Sequence, residues 1–414
     1  MLYDAYEMQR SLLTGASTMA NIGVGFLNNP ANPFAYSHMG PIMSSALQVF
    51  AHASAPRGKP EFGLHSTTLP DGRTVAVDED IVLRKPFGQL KRFRREGVEG
   101  DPKLLIVAPM SGHYATLLRG TVERMLPGHD VYITDWRDAK CVPLSDGRFD
   151  LDDYVDYLIA FLEQIGPGAH MLAVCQPSVP ALAAAAVMSA DDHPCRPRTL
   201  TMMGGPVDTR EAPTEVNTVA TQRPFSWFQS NVIATVPYLY PGQGRKVYPG
   251  FLQLAGFMAM NLGNHLVSHW GMFRHLVEGD GESADATMDF YEEYRSVCDM
   301  TAEFYLQTID VVFQRHLLPK GEMTHRGRRV DVGAIRDTAL LAIEGERDDI
   351  SGLGQTKAAL TIATGLPDAM KKYHMAEGVG HYGIFNGSKW RGRIAPVVEQ
   401  WIAQHNAPAM KAAA

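Results

Sequence analysis

Cysteine is scarce in this chain of 414 residues: Cys141, Cys175, Cys195 and Cys298 are the four present, with none of the close spacings of a disulfide or zinc motif. A chain this long builds its core without covalent staples, so free thiols in a reducing compartment are expected. Charge of one sign is not gathered into blocks. Lys and Arg are scattered among Asp and Glu at a formal net charge of -7, which leaves no footprint for a nucleic-acid backbone. No apolar run approaches the roughly 20 residues of a membrane-spanning helix, and no transmembrane segment is expected. The opening residues Met1-Leu2-Tyr3-Asp4-Ala5-Tyr6-Glu7 lack the basic stretch and apolar core of a secretory signal, which predicts a cytoplasmic protein. His265, His269 and His275 stand in no carboxylate-histidine spacing of a zinc site, and neither a metal nor an organic cofactor is expected.

What is present is 45% hydrophobic residues, in an order that reads as an α/β protein. Residues 1–55 alternate helix-like segments with Asn, Pro and Gly breaks ahead of any strand signal, which predicts a helical N-terminal extension. Segments 62–68 and 74–82 flank Pro70-Asp71-Gly72 and read as a hairpin. From residue 103 onward, apolar strands at 104–108, 131–134, 171–174 and 199–203 alternate with helices near 115–126, 151–165 and 178–190. That rhythm predicts a mostly parallel sheet with helices on both faces. Strand signal stops between Pro206 and about Pro319, where aromatics, Met and Pro accumulate, and resumes at 339–343 and 372–375 before a closing helix from about Ile394. The expected organisation is an α/β-hydrolase core from 56–205 and 320–414, an inserted lid or cap at 206–319, and the helical extension 1–55.

Cys175 interrupts the apolar run Met171-Leu172-Ala173-Val174 and leads through Gln176-Pro177 into the Ala-rich helix, the place where such folds lift a nucleophile above the sheet. A thiol needs a base, and the base needs an orienting acid. Asp348 follows the strand at 339–343, and His381 lies in the Gly-flanked loop after the next strand. The chain order Cys175, Asp348, His381 is the nucleophile-acid-base order of α/β-hydrolases, so a cysteine hydrolase or acyltransferase is expected. Ala173 and Pro177 stand where G-x-S-x-G has glycines; alanine still permits close approach, and proline at a helix start loses only an amide without a helical partner. For the oxyanion, one donor is expected from the backbone of Gln176 and a second from the loop after 104–108, with Ser111 the first choice and Met110 the second. Asp349 and Asp208 are alternative acids with surface or capping roles as the simpler reading, and His113 reads as a structural imidazole. Trp227, Phe228, Trp270 and Phe273 in the lid are packing residues by default, and are also what a pocket for an apolar acyl chain would need.

The segments Ala108-Pro109-Met110-Ser111-Gly112-His113-Tyr114, Ala173-Val174-Cys175-Gln176-Pro177, Met203-Gly204-Gly205-Pro206 and Gly380-His381-Tyr382-Gly383-Ile384-Phe385 closely resemble the intracellular poly(3-hydroxybutyrate) depolymerases with a cysteine nucleophile. The likeness includes Met1-Leu2-Tyr3 and Glu7-Met8-Gln9-Arg10, and so extends over nearly the whole chain. It implies hydrolysis of native amorphous polymer granules to 3-hydroxybutyrate oligomers and monomer, at the granule surface, with Cys175 as nucleophile, Asp348 as acid and His381 as base. A homo-oligomer is compatible with this reading. The rival readings are a polyhydroxyalkanoate synthase-like or coenzyme A-dependent acyltransferase, and a non-catalytic granule-associated protein; the departures at Ala173 and Pro177 favour the depolymerase.

Overall fold

The computed structural model describes residues 2–55, 58–260, 293 and 295–406. Nine strands form its large sheet: β1 (Ser66–Thr68), β2 (Thr74–Lys85), β3 (Gly88–Arg95), β4 (Lys103–Val107), β5 (Asp130–Trp136), β6 (His170–Val174), β7 (Thr199–Met203), β8 (Ala339–Gly345) and β9 (Lys371–Ala376). Their spatial order is β1-β2-β3-β5-β4-β6-β7-β8-β9. Pairs from β1 to β5 in that order are antiparallel, and those from β5 to β9 are parallel. This is the α/β-hydrolase arrangement, with the mostly parallel sheet expected from the alternation of strand and helix signals.

The central strands are covered on both faces, which is why they are apolar without alternation. Leu104, Leu105, Ile106 and Val107 of β4, like Met171 to Val174 of β6, are fully buried. Helix α1 (Leu2–Leu27) and helix α2 (Met39–Ser54) form an N-terminal pair, joined by hydrogen bonds such as Ser17 Oγ to the Ala51 carbonyl at 2.8 Å. Helices α3 (Arg119–Met125), α4 (Leu151–Ile165) and α5 (Ser178–Ala190) follow β4, β5 and β6. Asp150 and Asp153 close a capping box at the start of α4. The run Ala183 to Ala186 in α5 is wholly buried, so this stretch without bulky side chains packs closely against its neighbours.

Two features depart from the sequence reading. Strand β3 carries Lys91, Arg92, Arg94 and Arg95, which disguise its core residues Leu90 and Phe93; the cations are neutralised by Glu79, Asp130, Asp78 and Asp101 at 2.6 to 2.9 Å. Strand structure also does not stop after Pro206. Ala234–Thr235, Lys246–Tyr248 and Met300–Thr301 form a small antiparallel sheet. Strands of two or three residues are too short to display a period of two. Around them lie α6 (Glu215–Gln222), α7 (Phe225–Asn231), α8 (Gly250–Met260) and the helix Ala302–Gln307.

Candidate active site

Cys175 sits between the end of β6 and the start of α5 with φ at +66°, a left-handed conformation that a residue with a Cβ adopts only when its surroundings enforce it. Those surroundings are visible. The Cys175 amide donates to the Met203 carbonyl at 2.7 Å, and the Ser178 amide returns to the Cys175 carbonyl at 3.0 Å, so the turn is clamped to β7 and closed on itself. The tolerance usually supplied by glycines inside the turn is here supplied by the neighbouring strand. A Cβ at Gly205 would lie 2.0 Å from Ser178 Oγ and 2.9 Å from the Cys175 carbonyl. Gly204, at φ +59°, passes beneath the acid and the base, where a Cβ would lie 3.1 Å from Asp348 Oδ2 and 3.2 Å from His381 Cε1. The role of these two glycines was not read from the sequence; the signal was the pair at the end of a buried strand.

Asp348 lies in the loop after β8 with its side chain fully buried. One oxygen accepts from the amides of Ile350 and Ser351 at 2.9 and 2.8 Å, and the other meets His381 Nδ1 at 2.7 Å. This fixes the imidazole and leaves Nε2 for Cys175. Burial alone would lower the proton affinity of His381, but the charges of Cys175 and Asp348 and hydrogen bonds to both carry its pKa well above the ordinary histidine value. The three residues, distant in the chain, therefore form one electrostatic unit. Asp349, by contrast, is exposed, and Asp208 is held by Arg210 at 2.6 Å. Glu344, at the end of β8, is buried but accepts from the Gly354, Thr356 and Lys357 amides and the Tyr373 hydroxyl; it holds the loop that carries Asp348.

On the other side of the thiol, the loop after β4 is anchored at its root. The Ala108 carbonyl accepts from Trp136 Nε1 at 2.8 Å and the Tyr154 hydroxyl at 3.2 Å, both from fully buried side chains. The Met110 amide then faces the elbow, donating to Gln176 Oε1 at 3.2 Å. Ser111 and His113 line the same cavity, and His113 is buried.

That cavity has a volume of about 460 Å³, with Cys175 and His381 both in its wall. Its lining is largely apolar and includes Phe228. Trp227 does not line it but stacks edge-on behind Phe228 at 5.2 Å. Trp270 and Phe273, like His265, His269 and His275, lie outside the described residues. Tyr248 and Tyr305, which the sequence reading missed, stack in parallel at 4.0 Å and line the cavity together. They come from the small sheet and the helix after it, so no local pattern pairs them. The four cysteines are free thiols, and among the described residues no three potential metal ligands cluster. Among the same residues no helix is long and apolar enough to cross a membrane.

Strand order, elbow and cavity define a protein of the α/β-hydrolase class. Residues 204–406 match the family described as PHB de-polymerase C-terminus, and the match supports a carboxylic ester hydrolase of the PHB depolymerase kind. No curated protein matches the chain. Among solved structures it is similar to a putative lipase from Acinetobacter baumannii, at 13% identity over 80% of this chain and 93% of that one, with a TM-score of 0.42. A monoacylglycerol lipase from Paleococcus ferrophilus shares 12% identity over 74% of this chain and 96% of its own, with a TM-score of 0.45. A thermophilic esterase from Thermogutta terrifontis shares 11% over 83% and 98%, with a TM-score of 0.42.

Proposed function

We propose that the protein hydrolyses the ester bonds of native amorphous poly(3-hydroxybutyrate) granules in the cytoplasm, releasing 3-hydroxybutyrate oligomers and monomer through a Cys175-His381-Asp348 triad. In this reading residues 206–319 are the lid over a core of 56–205 and 320–414, and Phe228 contacts the acyl chain. His381 Nε2 takes the Cys175 proton as Sγ attacks the ester carbonyl. The oxyanion is held by the Gln176 amide and by the loop at Met110 and Ser111, of which Met110 is already turned toward the elbow. Collapse of the tetrahedral intermediate breaks the carbon–oxygen bond, and His381 returns its proton to the departing alcohol. Water, deprotonated by the same imidazole, then attacks the thioester, and Cys175 leaves with its sulfur reprotonated. Every step uses residues of this chain and water.

The observation that carries this reading is the clamped Cys175 opening onto the same apolar cavity as the imidazole bonded to Asp348 at 2.7 Å. Cys175→Ala is expected to lower hydrolysis of amorphous polymer by at least about 10⁴-fold while binding to the polymer persists. Retained turnover in that variant would remove Cys175 from the mechanism. Polymer growth from 3-hydroxybutyryl-coenzyme A would favour the transferase instead.

A further inference from the structure

The N-terminal helical pair has a surface that the catalytic reading does not use. Residues 11–56 contain no Asp, Glu, Lys or Arg, although 20% of the whole chain is charged. Such a segment would ordinarily be buried. Here it is not: Met8, Leu12, Met19, Ile22 and Phe26 are between 62% and 71% exposed. Their spacing puts them on one stripe of α1, opposite the face that buries Tyr3, Ser17 and Ala20. On α2, Met39, Met43 and Phe50 repeat the pattern and are again exposed. A contiguous outward apolar stripe on a folded helix marks a binding surface.

We propose that this helical pair docks on the surface of the neutral aliphatic polyester, an inference that rests on the function proposed above. The absence of charge selects the partner. An anionic bilayer or a nucleic acid is held by Lys and Arg, which this surface lacks entirely between residues 11 and 56. A polyester has no formal charge to neutralise, only methyl and methylene groups to cover and ester carbonyls to receive hydrogen bonds from a neutral donor such as the carboxamide of Gln9, which is exposed on the same helix. The opposite face of α1 packs on the wall of the catalytic cavity. Tyr6 stacks on Phe251 at 3.9 Å and Tyr3 meets it edge-on at 5.6 Å; Phe251 belongs to α8, whose Gln253 and Gly256 line the cavity. Docking through α1 and α2 thus holds the polymer on the element whose other face packs against the cavity wall.

The test combines Leu12→Gln, Met19→Gln, Ile22→Gln and Phe26→Gln in the full chain, with three readouts: co-sedimentation with amorphous poly(3-hydroxybutyrate) particles, hydrolysis of a soluble 3-hydroxybutyrate dimer ester, and mass by light scattering. Affinity for the particles should fall at least tenfold, while soluble-ester turnover and native mass match the unaltered protein. If the quadruple variant is insoluble, the pairs Leu12→Gln with Ile22→Gln and Met19→Gln with Phe26→Gln carry the same test at reduced size. Particle binding within twofold of the unaltered protein would overturn the proposal. So would a change from dimer to monomer with binding retained, which would assign the face to a second copy, or equally tight binding of the unaltered protein to phosphatidylglycerol vesicles. Soluble-ester hydrolysis tests the catalytic reading separately, so the two can fail independently.

Discussion

Asp348 and Asp299 are both buried carboxylates with backbone amides on one oxygen, yet their neighbours give them opposite tasks. Asp348 faces an imidazole, and with Cys175 it raises the proton affinity of His381. Asp299 accepts from the Tyr3 hydroxyl at 2.6 Å and the Gly250 amide at 3.0 Å, but its own amide donates to Asp138, a second carboxylate. Burial and that neighbouring charge push its pKa up to about 6, with Lys140 offsetting part of the effect. Tyr3 begins α1, Gly250 begins α8, and Asp138 follows β5, so the second site is a clasp that joins the N-terminal helix to the wall of the cavity. The lesson is that burial alone does not mark a catalytic acid; the partner that shares its proton does.

The contrast is tested most strongly by removing each charge in turn. Asp348→Asn should lower kcat on soluble esters by roughly 10³- to 10⁴-fold with the fold intact, because the imidazole loses its orienting acceptor. The same variant should lower the His381 pKa, read by NMR of the ring protons. A loss of less than tenfold would transfer the orienting role elsewhere.

A smaller effect is expected at the elbow. Gln176 Oε1 occupies the Met110 amide, so an incoming carbonyl that uses this donor must displace the carboxamide. Gln176→Ala should raise kcat/KM on soluble esters by up to about tenfold, the range of one neutral hydrogen bond. A fall of that size would show that the carboxamide instead holds the 109–113 loop in place.

The smallest effect belongs to the clasp. Because the folded pKa of Asp299 is raised from 3.8 to about 6, its contribution to stability is present below the lower value and lost as pH rises through the upper one. Asp299→Asn cannot ionise, so its Tm should fall less than that of the unaltered protein across this window, with kcat unchanged within a few-fold. Parallel Tm profiles for the two proteins would dismiss the charge at Asp299.

How much of this was legible in the chain follows the length and locality of each signal. The parallel strands and the positions of Cys175 and Asp348 could be read because buried strands are continuous apolar runs and both residues stand just past one, whereas His381 was marked by its Gly-flanked loop after a strand that is only partly buried. Ala173 and Pro177 made the elbow look irregular; its relief lies in Gly204 and Gly205, on another strand, where local pattern does not reach. Basic residues hid β3, and the small sheet was too brief to show periodicity. The stacked Tyr248 and Tyr305, and the Tyr3-Asp299 clasp, are pairs made by the tertiary fold alone. Of the four lid aromatics singled out, Phe228 reaches the cavity and Trp227 supports it from behind.

The central claim is that one sulfur carries the acyl group. Rapid quenching of the protein in acid during turnover of a soluble 3-hydroxybutyrate ester, followed by peptide mass spectrometry, reads this directly. The account predicts a 3-hydroxybutyryl adduct on the peptide containing Cys175, accumulating in His381→Ala when an activated ester is supplied and absent in Cys175→Ala. An adduct on any other residue, or turnover that continues without Cys175, would contradict it.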